Sequence, residues 1–142
     1  MPDAVTFFVA GEPQPKGSTR AFVVKGRPII TSSNKNLKAW EQRIAHEAQA
    51  HIPAGFCDGE SAYIVDCIFE FAEPKSHAKA YRYYHRTRPD ADKLLRAVLD
   101  ALTDITWHDD AQVVTATCIK GYGWRPGVTV VIQKLPGRVR ID

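Results

Sequence analysis

The stretch from residue 88 to residue 114, RPDADKLLRAVLDALTDITWHDDAQVV, limits the fold of this chain more than any other. Between about Asp90 and Asp104, apolar side chains recur at helical spacing, which predicts an amphipathic helix. Its apolar face is expected to lie in the core of the protein. That face consists of Leu94, Leu95, Val98, Leu99, Leu102 and Ile105.

Aspartates stand at both ends of this predicted helix. Asp90 and Asp92 lie at its start, and Asp109 and Asp110 follow its end. Crowded carboxylates repel one another and need a compensating cation. Oxygen ligands without a Cys or His pattern favour a hard cation, Mg²⁺ first, with Mn²⁺ as a substitute. Each aspartate also has a structural explanation, since Asp90 can cap the helix and Asp109 with Asp110 can form a turn. Spacing alone leaves open whether the two pairs meet.

The remaining segments predict one domain that spans residues 1–142. A second helix is expected to begin at a cap among Ser32, Ser33 and Asn34 and to end near His51, with Leu37, Trp40, Ile44 and Ala48 buried. Apolar side chains make up 44% of the chain and charged ones 25%, as in ordinary globular domains. Strands are predicted at residues 5–10, 21–24, 28–31, 61–71, 112–119 and 128–134.

Basic side chains concentrate in three surface segments. Lys16 and Arg20 lie in a Pro- and Gly-rich loop, and Lys25 and Arg27 lie at the tip of a predicted hairpin. The third segment, residues 75–88, interleaves tyrosines with basic residues, namely Lys75, Lys79, Arg82, Arg86 and Arg88. Cations neutralise phosphates and tyrosines stack on bases, so these segments suit DNA. Solvated loops are the alternative, because a net charge of +3 permits a nucleic-acid partner without requiring one.

The compartment is predicted from what the sequence does not contain. It has no apolar run of membrane-spanning length and no signal-peptide pattern, so neither membrane insertion nor secretion is expected. Cys57, Cys67 and Cys118 are odd in number and widely spaced. Buried free thiols in a reducing cytoplasm are therefore expected.

The acidic stretch as a whole resembles the RusA family of Holliday junction resolvases, which is widespread in phages and prophages. The loop at residues 13–20, PQPKGSTR, is also similar to phage members of that family. The residues that carry the resemblance are Arg88, Pro89, Asp90, Asp92, Leu94, Arg96, Asp100, Ala101, Leu102, Trp107, Asp109, Asp110, Ala111, Gln112 and Val113.

The resemblance implies a small α/β (α+β) domain, in which a mixed sheet is packed by two main helices. It implies a cytoplasmic homodimer that cuts branched DNA in recombination and repair with Mg²⁺ and without a small-molecule cofactor. The family's metal-binding acidic site maps onto Asp90, Asp92 and Asp110, with Asp109 as a neighbour. Arg96 takes the place of an assisting basic residue, and Arg96 and Lys93 are expected to bind the scissile phosphate. Asp100 receives no ligand role.

Two departures from the family pattern keep alternatives open. Lys93 stands where members usually have Asn, and Arg96 stands where they usually have Lys. Arg can clamp a phosphate but cannot give up a proton as Lys can. One alternative is a branched-DNA-binding protein in which Lys93 and Arg96 neutralise the acidic site and impair catalysis. Another is a metal-dependent phosphohydrolase for small molecules, which would have a closed pocket and no need of the basic run.

Overall fold

A computed structural model describes residues 3–17, 19–32, 34–74 and 84–135 of the chain, with the backbone alone at 19–22, 24 and 28–32. The elements follow one another as β1 (Ala4–Ala10), β2 (Thr19–Val24), β3 (Arg27–Ser32), α1 (Leu37–His51), β4 (Ala62–Ala72), α2 (Ala91–Leu102), β5 (Val113–Gly123) and β6 (Gly127–Leu135). This confirms the predicted fold class, a small α+β domain with a mixed sheet and two helices.

The main sheet has the strand order β1-β6-β4-β5, and β2 pairs with β3 in a separate hairpin. β6 runs antiparallel to both β1 and β4, whereas β4 and β5 are parallel. Parallel neighbours need a crossover connection, and α2 supplies it between β4 and β5. The start of α2 therefore lies near the end of β5, and the end of α2 lies near the start of β5.

The core lies between one face of this sheet and the two helices. Alternate residues of β4 are buried, as the period of two in its sequence predicts. The buried helix residues are Leu37, Trp40, Ile44 and Ala48 of α1, and Leu94, Ala97, Val98, Leu99 and Leu102 of α2. The predicted apolar face of α2 is thus confirmed at its centre, with Leu95 and Ile105 only partly buried beside the core.

Several predicted boundaries are wrong by a few residues. Helix α1 is capped by Asn36, which makes no side-chain capping bond. Ser32 instead ends β3, Asn34 accepts a hydrogen bond from the Asn36 amide, and Ser33 lies outside the described residues. Strand β5 continues past residue 119 because its pairing with β4 extends to Ala72 opposite Gly123.

Strand β5 is an edge strand with an exposed apolar surface. Val114 is 60% exposed and Ile119 is 52% exposed. On the side away from β4, Tyr84 forms an isolated bridge with Gly121, and the amide of His85 donates to the carbonyl oxygen of Lys120. Edge strands of this kind offer unpaired backbone groups to another chain.

Two further expectations concern membranes and thiols. Neither helix in the described parts of the chain is long and apolar enough to cross a membrane. Cys57, Cys67 and Cys118 are free, as predicted, but only Cys67 is buried, and the other two are partly exposed. Burial raises the pKa of the Cys67 thiol, so this side chain remains an unreactive part of the core.

Candidate functional site

The first cleft beside α2, which we call the Asp90 cleft, has a volume of about 550 Å³. Pro15, Arg88, Pro89, Asp90 and Lys93 line it. Asp90 is the N-cap residue of α2, but its side chain makes no capping hydrogen bond. Its carboxylate therefore remains available to a ligand, next to the positive end of the helix dipole and two cationic side chains.

The second cleft, which we call the Asp110 cleft, has a volume of about 480 Å³ and lies at the other end of α2. It is lined by Lys16, Asp100, Thr103, His108, Asp109 and Asp110. Asp109 begins a single 3₁₀ turn, Asp110–Gln112, and its side chain accepts a hydrogen bond from the amide of Ala111. Asp109 thus has the structural turn role that the sequence left open.

Ion pairs connect the Asp110 cleft to the middle of α2. Arg96 Nη1 lies 2.7 Å from Asp110 Oδ2 and 3.7 Å from Asp100 Oδ1. Lys16 Nζ lies 2.9 Å from Asp100 Oδ2, and this bond raises the pKa of Lys16. Asp100, which received no ligand role, therefore orients two cations of the site, and its replacement would disturb both of them.

The structure brings only some of the predicted site residues together. Arg96, Asp109 and Asp110 share one neighbourhood, whereas Asp90 lies in the other cleft, about 9 Å from Arg96 along the helix axis. Asp92 is exposed on the same helical face as Arg96, one turn earlier. Within the described ranges, no group of three or more His, Cys, Asp or Glu side chains is placed to hold a metal ion.

Gln112 fixes the position of the Asp109–Asp110 turn. Its Oε1 accepts hydrogen bonds from the amides of His108, at 2.9 Å, and Asp109, at 3.1 Å. Its Nε2 donates to the carbonyl oxygens of Asp58, at 2.8 Å, and Ser61, at 2.9 Å. Sequence reasoning assigned Gln112 no role, although the Asp-x-x-Gln spacing matches a capping box.

The loop that receives Gln112 is itself held by an ion pair. Lys134 Nζ lies 2.8 Å from Asp58 Oδ2, and the Asp58 carboxylate also accepts bonds from the amides of Glu60 and Ser61. Together these donors hold the pKa of Asp58 well below its usual range. The start of β4 therefore forms a fixed support for the Asp110 cleft.

Lys120 is a second residue that sequence reasoning missed. It lies on β5 opposite the buried Phe69, and its Nζ donates to the carbonyl oxygens of Thr87, at 2.8 Å, and Pro89, at 2.7 Å. The sequence gives one indication of a role for Lys120, namely a charged residue at a position of β5 that faces the core. The peptide after Pro89 leads directly to Asp90.

The predicted DNA-binding residues are distributed around these clefts. Lys25, Arg27, Arg86, Arg88 and Lys93 are exposed. Lys16 reaches α2 both through its ion pair and through its amide, which donates to the carbonyl oxygen of Lys93 at 2.9 Å. The side chain of Arg20, and the whole of Lys75, Lys79 and Arg82, lie outside what the structure describes.

The part of the chain that is similar to known proteins includes the residues of both clefts. The family model described as Endodeoxyribonuclease RusA matches residues 10–133, which is most of the chain. An uncharacterized protein of Bacillus subtilis (strain 168), YqaN, is 28% identical over 140 residues, and the match covers 94% of this chain and 98% of that protein. Both matched ranges are wide enough to contain the acidic residues, Arg96, Gln112 and Lys120.

Proposed function

The chain belongs to the RusA family of endodeoxyribonucleases, and from this premise we propose that it cuts four-way DNA junctions by Mg²⁺-dependent phosphodiester hydrolysis. The observation that carries the proposal is the Asp90 cleft, where an unpaired carboxylate stands beside Arg88 and Lys93. A carboxylate among cations suits a phosphate that approaches together with a divalent metal ion.

The carboxylates fit a hard cation in their chemistry, but they are not equally available. Asp90 and Asp92 have no hydrogen-bond or ion-pair partner in the described part of the chain, so they are the first choice as ligands. Asp109 uses one oxygen to cap its turn, and Asp110 is held by Arg96. Arg96 bonds Oδ2 of Asp110, so this oxygen becomes available to a metal ion only when Arg96 moves toward another anion. A bound Mg²⁺ would supply an activated water and stabilise charge on the phosphoryl oxygens.

The cationic side chains would bind and orient the DNA backbone. Arg88 and Lys93 border Asp90 and are placed to neutralise the phosphate that enters its cleft. Arg96, which is half exposed, can exchange Asp110 for a phosphate oxygen and so stabilise the charge of the transition state. Recognition would then be of junction shape and backbone through Lys16, Arg20, Lys25, Arg27, Lys75, Lys79, Arg82 and Arg86.

We propose that the active form is a homodimer in the cytoplasm. A four-way junction has two strands to cut, and a two-fold dimer presents two acidic sites with matching symmetry. The exposed Val114 and Ile119 on the edge strand β5 support self-association, because such an edge pairs readily with a second chain. An apparent mass near that of one chain at micromolar concentration, with and without junction DNA, would contradict the dimer.

A second candidate is a branched-DNA-binding protein with an impaired acidic site. The direct contact between Arg96 and Asp110 favours it, because a guanidinium that stays in place neutralises a required ligand. Lys93 makes no ion pair with a described residue, so of the two cations that this alternative requires, only Arg96 neutralises a carboxylate of the site. The two candidates differ in whether the native chain cuts a junction that it binds.

The proposal is tested by replacing the aspartates one at a time. Asp90→Asn, Asp92→Asn and Asp110→Asn keep the side-chain shape and remove a charged ligand. Each is expected to lower the cleavage rate at least about 100-fold, the loss typical of removing one transition-state stabiliser, while junction binding in EDTA persists. Full activity in folded Asp92→Asn and Asp110→Asn variants would refute the assignment.

Asp104→Asn is the matched control for this series. Asp104 is exposed, lines neither cleft, and has a φ of 74°, a conformation that Asn adopts readily. This variant makes the same change of charge on the same chain. It is expected to retain native cleavage and native junction affinity.

A further inference from the structure

The last part of the segment between β4 and α2 is attached to both β4 and β5. The amide of His85 donates to the carbonyl oxygen of Lys120 at 3.0 Å, and the His85 ring is stacked on Phe71 with centroids 4.0 Å apart. Tyr84 forms a bridge with Gly121. These contacts fix residues 84 and 85, shortly before the chain enters α2.

Lys120 supplies a further attachment. Its ammonium donates to Thr87 O at 2.8 Å and to Pro89 O at 2.7 Å, the carbonyl oxygens of the residues on either side of Arg88. The carbonyl of Pro89 belongs to the peptide whose nitrogen is that of Asp90. The Lys120 ammonium is therefore hydrogen-bonded to the peptide group directly before Asp90, the proposed metal ligand, at the point where the chain enters α2.

The charge of Lys120 is not neutralised by a carboxylate within the described parts of the chain. Its two partners are neutral carbonyl oxygens, so it adds positive charge beneath a cleft that already contains Arg88 and Lys93. Lys120 belongs to β5, and the pairing of β5 with β4 is continuous on both sides of this residue. A fixed cation of this kind can hold a loop in one position and also favour anionic ligands above it.

We propose that Lys120 is a positioning residue that fixes the direction in which Asp90 and Arg88 enter the Asp90 cleft. The inference rests on the proposed function, because it gives Asp90 a ligand role. Lys120 does not contact the DNA in this account. It orients the backbone that leads to Asp90, as residues that hydrogen-bond to the ligands of a metal orient those ligands.

Lys120→Met and Lys120→Arg separate this role from others. Met keeps most of the apolar stem and removes both donors, whereas Arg keeps a charge that can donate to two carbonyls. For Lys120→Met we expect faster amide hydrogen exchange in residues 84–93 and an affinity for Mn²⁺, titrated without DNA, that is weaker by about 10–100-fold. The cleavage rate constant at saturating junction should fall over the same range, with junction affinity in EDTA unchanged. Lys120→Arg should restore part of each loss.

Lys134→Met is the control for the loss of a sheet lysine. Lys134 also lies in a strand and donates to a loop carbonyl, that of Gly55 at 2.9 Å, and it pairs with Asp58 as well, so the two variants are compared by amide exchange alone. Its removal should lower thermal stability and leave exchange in residues 84–93 as it is in the native protein.

Unchanged exchange in residues 84–93 of Lys120→Met would overturn the inference. So would faster exchange with native Mn²⁺ affinity, because the position of the segment would then not matter to the ligand. A weaker junction affinity and a lower salt slope would show a direct phosphate contact instead. If the native protein cuts no junction, the proposed function fails, whereas exchange and Mn²⁺ titration still decide the role of Lys120.

Discussion

Replacing Gln112 should destabilise the protein more than replacing any other exposed or half-buried Asn or Gln side chain among the described residues. Gln112→Ala removes four hydrogen bonds, two from the amides of His108 and Asp109 and two to the carbonyl oxygens of Asp58 and Ser61. Each such bond is worth about 0.5–1.5 kcal/mol net, and water replaces part of it at a half-exposed turn. The free energy of unfolding should therefore fall by about 2–4 kcal/mol. At roughly 3 °C per kcal/mol for a chain of this size, Tm should fall by roughly 6–12 °C.

Gln112→Glu tests the donors of the amide alone. The carboxylate keeps the acceptor oxygens but faces Asp58 O and Ser61 O, to which the native Nε2 donates. The protonated acid can donate to one of them, so the fold should raise the pKa of the new carboxyl above about 4.3. Its deficit relative to the native protein should then be smallest at low pH and should grow as the pH rises through that raised value.

Chemical unfolding and differential scanning calorimetry measure both variants, with Gln42→Ala as the comparison. Gln42 is exposed on α1 and should change stability by no more than about 0.5 kcal/mol. A loss for Gln112→Ala that is no larger than that of Gln42→Ala would refute the reasoning. A Gln112→Glu deficit that does not change with pH would refute the assignment of the donors.

Three further results are expected. Arg96→Ala should slow junction cleavage by about 100-fold or more, and Arg96→Lys should recover part of it, whereas faster cleavage by Arg96→Ala would show that Arg96 blocks Asp110. Neutralising Arg82 and Arg86 should weaken junction binding and reduce the salt slope by about one unit per lost phosphate contact, and an unchanged slope would leave both as solvated side chains. Burial lowers the pKa of His85, so the folded chain resists its protonation and thermal stability should fall as the pH drops below about 6.5. His85→Phe should remove that part of the loss, and an equal loss in both proteins would count against it.

Local patterns in the sequence are sufficient to predict most of the elements. The apolar period of α2 and the alternation in β4 survive into the structure because each buries one face against the same core. The ends are less predictable. Thr103 and Asp104 fit the helical pattern, but the chain turns there, with Asp104 at a positive φ and Thr103 paired with Trp107.

The arrangement of the site depends on contacts that spacing along the chain does not determine. Arg96 meets Asp110 only because α2 crosses back over β5, and that crossing follows from the parallel pairing of β4 with β5. Lys120 was missed for a related reason. The predicted strand ends at residue 119, and its continuation depends on hydrogen bonds to a distant strand.

The central claim, that this chain cuts branched DNA with a divalent cation, is tested most directly by one assay. A synthetic four-way junction and a linear duplex of the same sequence are each incubated with the native protein, in Mg²⁺ and in EDTA, and the products are separated on denaturing gels. The account predicts paired nicks in the junction with Mg²⁺, none with EDTA and an intact duplex in both. A junction that is bound but remains uncut in Mg²⁺, or one cut equally well in EDTA, would contradict it.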